Sequence, residues 1–206
     1  MNNPKAINFA EATRQLLNVH GNEALTLAKT SIHHSLESEK AFNLDLDNVS
    51  QKLKSNGASF VTLNASGRLR GCIGSVEAWR PLATDIVANA NQAAFHDPRF
   101  ASLKSAETPG LDVHISVLSP SEPFVFTDEA DFLAKLNVGV DGLIIEDLNR
   151  RAVFLPSVWS QLPTPHQFLN HLKAKAGLSQ NHWSATFKAW RFIAAETGAK
   201  WDDISI

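Results

Sequence analysis

Apolar residues recur along this chain at two different periods, and the switches between them mark out its elements. Phe9, Ala12, Leu16 and Val19 fall at helical spacing over residues 8–19, and Gly21 reads as a stop. Asn22 then caps a second helix that turns Leu25, Ala28, Ile32 and Leu36 inward. After the polar connection FNLDLDNVSQKLKSNG, residues 58–63 (ASFVTL) read as a strand. Asn64-Ala65-Ser66-Gly67 has the composition of a turn, and residues 68–76 return as the second strand of a hairpin. Pro81 opens a helix to about Phe95, with Leu82, Ile86, Ala90 and Ala93 on one face. Residues 111–118 (LDVHISVL) alternate cleanly and predict a strand. Thr127, Asp128 and Glu129 begin a short helix to about Leu136, and DGLIIEDLNRRAVFLP folds back near 147–150 as a second hairpin. Thr164-Pro165-His166-Gln167 caps a helix that buries Phe168, Leu169, Leu172 and Ala176 and ends at Gly177. Residues 185–194 alternate again and predict a closing strand. Two hairpins among interspersed helices imply antiparallel pairing, hence an α+β or mixed fold rather than a doubly wound parallel sheet.

Composition narrows the function classes. A formal charge of −2 without any block of like charge leaves no electrostatic footprint for nucleic acid or an anionic membrane. The single cysteine excludes an internal disulfide and fits a reducing compartment. The start, MNNPKAINFAEATRQLL, lacks an apolar signal core, and no apolar run approaches the roughly 20 residues that span a bilayer. A cytoplasmic protein is expected.

The chemistry concentrates in Gly67–Ser75 (GRLRGCIGS). On a regular strand Leu69, Gly71, Ile73 and Ser75 share one face, and Arg68, Arg70, Cys72 and Gly74 share the other. That places the Arg70 guanidinium near the Cys72 thiol, where it favours the nucleophilic thiolate. Gly71 and Gly74 would let a ligand, or another backbone, come close. The alternative is that Cys72 only packs and the glycines mark a bulge or a tight crossing. Asp97-Pro98-Arg99-Phe100 reads as a turn closed by its own Asp–Arg contact, or as a wall where Arg99 joins Arg70 in binding an anion. Asp112, His114 and Ser116 share a strand face, but neighbours on one face lie about 7 Å apart, so a solvated face explains them better than a triad. His33-His34 and His166/His171 lack metal-ligand spacing, and no P-loop or dinucleotide fingerprint is present. No metal and no cofactor are implied.

The core Arg70-Gly71-Cys72-Ile73-Gly74 resembles the hallmark of the AMMECR family, known in prokaryotes as AmmeMemoRadiSam system protein A. PLATDIVANANQAAFHDPRF, LDVHISVLSPSEPF, DGLIIEDLNRRAVFLPSVW and PTPHQFLNHLKAKAGL follow in the family's order. One departure is Ser157, where the family commonly has glutamine. The resemblance implies two closely packed lobes with mixed sheets. It divides the chain into an N-terminal helical extension (1–23), the AMMECR-type domain (24–195) and a C-terminal tail (196–206). It also implies a pathway shared with Memo-like and radical S-adenosylmethionine proteins, without a settled reaction. Two functions follow as expectations. One is a small-molecule or thiol-dependent enzyme with Cys72 as nucleophile and Arg70, Gly71, Gly74, Asp97 and Arg99 around the substrate. The other is a non-enzymatic partner of those two proteins.

Overall fold

The computed structural model describes residues 4–206, with side chains from residue 10 onward. Helix α1 (Pro4–Ser38) leads through two short 3₁₀ turns, Leu46–Asn48 and Gln51–Lys54, to strands β1 (Asn56–Ala65), β2 (Arg68–Gly74) and β3 (Arg80–Pro81). Helix α2 (Leu82–Phe95) and strand β4 (Leu111–Leu118) follow. Then come β5 (Glu122–Pro123), α3 (Glu129–Lys135), β6 (Gly142–Asp147), β7 (Arg150–Phe154), α4 (Pro165–Lys175), β8 (Lys188–Phe192) and β9 (Ala194–Lys200). The chain forms two compact units, one of Glu11–Leu118 with Ala195–Ile206, the other built on Ser119–Ala194. The fold is mixed α+β with two separate sheets, as the hairpins imply.

In the first unit the strands lie in the order β2-β1-β4-β9, and β3 pairs with the start of β1. The pairings of β1 with β2, β3 and β4 are antiparallel. Leu17, Leu25, Ala28 and Ile32 of α1 and Ile86, Ala90 and Ala93 of α2 pack in one core with Val61, Leu63, Val113 and Ile115 of the sheet. The period-2 pattern of β4 sends Leu111, Val113, Ile115 and Val117 into that core and leaves Asp112, His114 and Ser116 on the opposite, polar face.

The second unit has strand order β5-β8-β6-β7. Phe132, Leu143, Ile145, Phe168, Leu169 and Leu172 are its buried centre. Trp159 stacks on Phe168 with ring centroids 3.9 Å apart and donates its indole N–H to the Asp141 carbonyl at 2.7 Å. The Thr164 hydroxyl caps α4 by accepting from the Gln167 N–H. At the β6–β7 turn the buried Asp147 carboxylate gathers the Ser184 hydroxyl (2.5 Å), the His182 Nε2 (2.7 Å), the Thr186 hydroxyl (2.7 Å) and the Leu148 N–H. These donors, Ser184 foremost, hold its pKa well below the usual carboxylate range.

Three expectations are corrected. Gly21 does not stop a helix: α1 runs unbroken through it, so the boundary expected at residue 23 falls inside one helix. The glycine serves close packing instead, because a β-carbon there would lie 3.0 Å from the Thr197 hydroxyl. With the helix continuous, its inward stripe is set by Thr13, Leu17, Gly21, Ala24 and Ala28, which leaves Val19 69% exposed; Phe9's side chain lies outside the described residues. The closing strand expected over 185–194 is two strands that break at Ile193 and belong to different sheets. Residues 196–206 are not a tail: they continue β9 and bury Trp201 and Ile204 in the first core.

Candidate functional site

Strand β2 owes its geometry to the turn and the bulge that begin it. Ser66 and Gly67 both take positive φ (52° and 74°), the backbone that joins two antiparallel strands through a two-residue turn. Ala65 then pairs with Arg68 and Asn64 with Leu69, but Leu63 pairs with Gly71. Arg70 is the extra residue of a β-bulge. The face assignment therefore changes on either side of it. Leu69, not Arg70, shares a sheet face with Cys72, and the expected Arg70–thiol pairing does not form. The Arg70 guanidinium instead binds Glu107 through Nε (2.9 Å) and Nη2 (3.2 Å) and the Ala101 carbonyl through Nη2 (2.9 Å). Its Nη1 is buried without an acceptor. Arg70 holds the Glu107 carboxyl below its ordinary pKa.

The cation that does reach Cys72 is Arg99. Strand β2 is a sheet edge, so one side of the Cys72 peptide has no neighbouring strand. The 97–99 loop fills that place. Asp97 accepts the Cys72 N–H at 2.9 Å, and Arg99 Nη2 donates to the Cys72 carbonyl at 3.1 Å. Asp97 and Arg99 also bond each other, through Nε (2.9 Å) and Nη2 (2.7 Å). The Asp97 carboxylate is only 2% exposed, whereas Arg99 is 52% exposed. Arg99, more than the Cys72 N–H, keeps Asp97 ionised far below the usual carboxylate range. Of the two readings of this loop, the local Asp–Arg contact is the one that forms, and it closes on the cysteine peptide; Arg99 and Arg70 do not converge on a shared anion site, since each binds its own carboxylate, Asp97 and Glu107. Phe100 lies between the guanidinium groups, 5.9 Å from Arg70 and 5.5 Å from Arg99.

The sulfur is half-buried on the polar face of the sheet and accepts the Thr62 hydroxyl at 3.2 Å. The two glycines are explained by the protein itself rather than by a ligand. A β-carbon on Gly71 would stand 2.1 Å from the Ala93 carbonyl of α2, and one on Gly74 would stand 2.2 Å from the Phe60 ring. Those contacts fix how closely α2 packs on β2 and where Phe60 lies.

A model of the AMMECR1 family matches residues 25–197. The chain belongs to the AMMECR1 family. A Methanothermobacter thermautotrophicus protein is 36% identical over 176 residues, covering 84% of this chain and 91% of its own. A Methanopyrus kandleri protein is 32% identical over 171 residues, covering 79% and 80%. The crystal structure of the uncharacterised protein PH0010 from Pyrococcus horikoshii superimposes with a TM-score of 0.75 at 30% identity, covering 87% of this chain and 91% of that one. Arg70-Gly71-Cys72-Ile73-Gly74 is therefore, in this AMMECR1 chain, a bulged edge strand clamped by an Asp–Arg pair.

Two features of the AMMECR1 site escaped the sequence. Thr62 gave no signal by itself, because its meaning lies in the cross-strand register with Cys72. Asp85 could have been found: it follows Leu82 by three positions and precedes Ile86 and Asn89 on the face of α2 that turns inward. Fully buried, it accepts from Ser59 (N–H 2.8 Å, hydroxyl 2.7 Å), Ser75 (2.8 Å), Arg80 (2.8 Å) and Asn89 (2.9 Å). This network ties the end of the motif, at Ser75, to α2 and β1. Ser157 is exposed in the turn Pro156–Ser160. Among the described residues, no three His, Cys, Asp or Glu side chains gather to hold an ion, and no helix is long and apolar enough to cross a membrane.

Proposed function

We propose that this AMMECR1 protein is a thiol-dependent enzyme acting on a small molecule, with Cys72 as its nucleophile or redox-active thiol. One observation carries the reading. Both backbone groups of Cys72 are held by the side chains of an ion pair, the buried Asp97 and the half-exposed Arg99, while its sulfur stays half-exposed and receives a hydroxyl hydrogen bond. A cysteine that merely filled space would need neither the clamp nor the polar partner. Arg99 supplies positive charge at the site, and Arg70 acts through the Glu107 side of the loop rather than on the sulfur. Alkylation by iodoacetamide tests this directly: at neutral pH the folded protein should react faster than a cysteine peptide, and Cys72→Ala should abolish labelling. Labelling no faster than the peptide sinks the reading. Once a substrate is found among co-purifying metabolites, Cys72→Ser and Cys72→Ala should both lose turnover.

A second reading, a non-enzymatic partner of Memo-like and radical S-adenosylmethionine proteins, draws on the segment just after the motif. There Trp79 is 66% and Val76 43% exposed. Under that reading, purified Memo-like or radical proteins bind the parent and Cys72→Ala alike, and Trp79→Ala breaks the complex.

A further inference from the structure

Register places three chemically capable side chains in one line across the first sheet. Cys72 of β2 pairs with Thr62 of β1, and Thr62 pairs with His114 of β4. All three project from the polar face, where directly opposed residues on neighbouring strands hold their β-carbons roughly 4.5–5.5 Å apart. The first link is already made, as the Thr62 hydroxyl donates to the sulfur at 3.2 Å. The last member is uncommitted: His114 is exposed, and its ring forms no hydrogen bond among the described residues. The imidazole lies across Gly198, where a β-carbon would fall 2.4 Å from Nδ1. That is the β9 side of β4, so the ring must turn about its side-chain bonds to the β1 side to reach Thr62.

We propose that His114 is the proton acceptor for Cys72, working through the Thr62 hydroxyl. The inference rests on the thiol reading above and adds the base that reading lacks. The Cys72 S–H proton moves to the Thr62 oxygen as the Thr62 hydroxyl proton moves to an imidazole nitrogen. The sulfur electron pair then forms a bond to an electrophilic carbon, the bond from that carbon to its leaving group breaks, and the imidazolium returns the proton to the leaving group. For the transfer the Thr62 hydroxyl turns from donating to the sulfur, as it does at rest, to accepting from it while donating to the imidazole. The substrate class is accordingly an acyl or alkyl electrophile. The charged and titratable groups around the line are Asp97 and Arg99 at the β2 edge, Asp112 beside His114 on β4, and Glu196 on β9, which is engaged by the Ser116 hydroxyl.

The test is the iodoacetamide rate as a function of pH for the parent, Thr62→Val, Thr62→Ser, His114→Gln and the Val/Gln double variant. Thr62→Val and His114→Gln should each slow labelling at pH 7 by about three- to tenfold and converge with the parent near pH 10, where thiols ionise unaided. Thr62→Ser should retain the parent profile. The double variant should be no slower than the slower single, since both break one path. A fast parent whose profile is unchanged by His114→Gln, or a double variant in which the losses multiply, overturns the relay and leaves the reactive thiol standing. A parent no faster than a cysteine peptide overturns both. Circular dichroism confirms that each variant is folded.

Discussion

Gly71 and Asp97 show how much of this site is built around one peptide unit. A methyl group at residue 71 would overlap the Ala93 carbonyl at 2.1 Å, and a backbone atom in the last turn of a buried helix cannot step aside as a side chain can. Gly71→Ala should therefore cost about 1–3 kcal/mol or more, read as a lower urea midpoint. An unchanged midpoint would show that α2 can shift away from β2 without loss. At Asp97 the loss is of charge rather than of space. Asp97→Asn keeps the shape but replaces a carboxylate that bonds the Cys72 N–H and Arg99 with a neutral amide. Hydrogen bonds to buried charges are worth roughly 1.5–3 kcal/mol, so a loss of about 2 kcal/mol in urea unfolding is expected. The same variant should alter Cys72 labelling, because Arg99 is freed from its carboxylate.

Helix α1 tests a different balance. In most helices Gly→Ala stabilises by about 1 kcal/mol through propensity. At residue 21 the new methyl would press on the Thr197 hydroxyl at 3.0 Å, on a strand whose other side pairs with β4. Gly21→Ala should give no gain and a net loss of about 1 kcal/mol; a rise in melting temperature would mean that β9 yields. The same residue shows where the sequence speaks and where it is silent. The periodicity of α2, β4 and α4 could be read because one side of each is buried by elements that leave the other side to water. Leu82, Ile86, Ala90 and Ala93 were predicted inward, and they are. Glycine in α1 gave a false stop because its reason lies on Thr197, 176 positions away. The bulge at Arg70 was hidden for a related cause. Alternation assumes one residue per partner, and whether β2 carries an extra residue is decided by its pairing with β1. The motif itself was legible, and so was the contact between Asp97 and Arg99. Which cation touches Cys72, and which hydroxyl, were not.

Across the whole molecule, each unit hangs part of its stability on a buried carboxylate, Asp97 in the first and Asp147 in the second. Both are held well below the ordinary carboxylate pKa, Asp97 chiefly by Arg99 and Asp147 chiefly by Ser184. A carboxylate whose folded pKa is depressed binds fewer protons in the native than in the unfolded chain. Its contribution is full above the unfolded value of about 3.9 and drains away as pH falls towards the folded value. Asp141 has the opposite sign: burial raises its pKa, so its penalty is relieved as pH falls through the raised value. The second unit should thus first gain slightly on mild acidification and then lose, whereas the first, whose Glu107 is also depressed, only declines, starting below about pH 5. Tryptophan reports the two separately. Trp79 and Trp201 lie in the first unit, and Trp159, Trp183 and Trp190 in the second. Urea unfolding followed with Trp79→Phe/Trp201→Phe, and with the complementary triple replacement, should show midpoints falling steeply between about pH 4 and 2 in each unit. Asp97→Asn should flatten only the first of those slopes and Asp147→Asn only the second. A slope that survives its own substitution would move the acid sensitivity of that unit to other carboxylates.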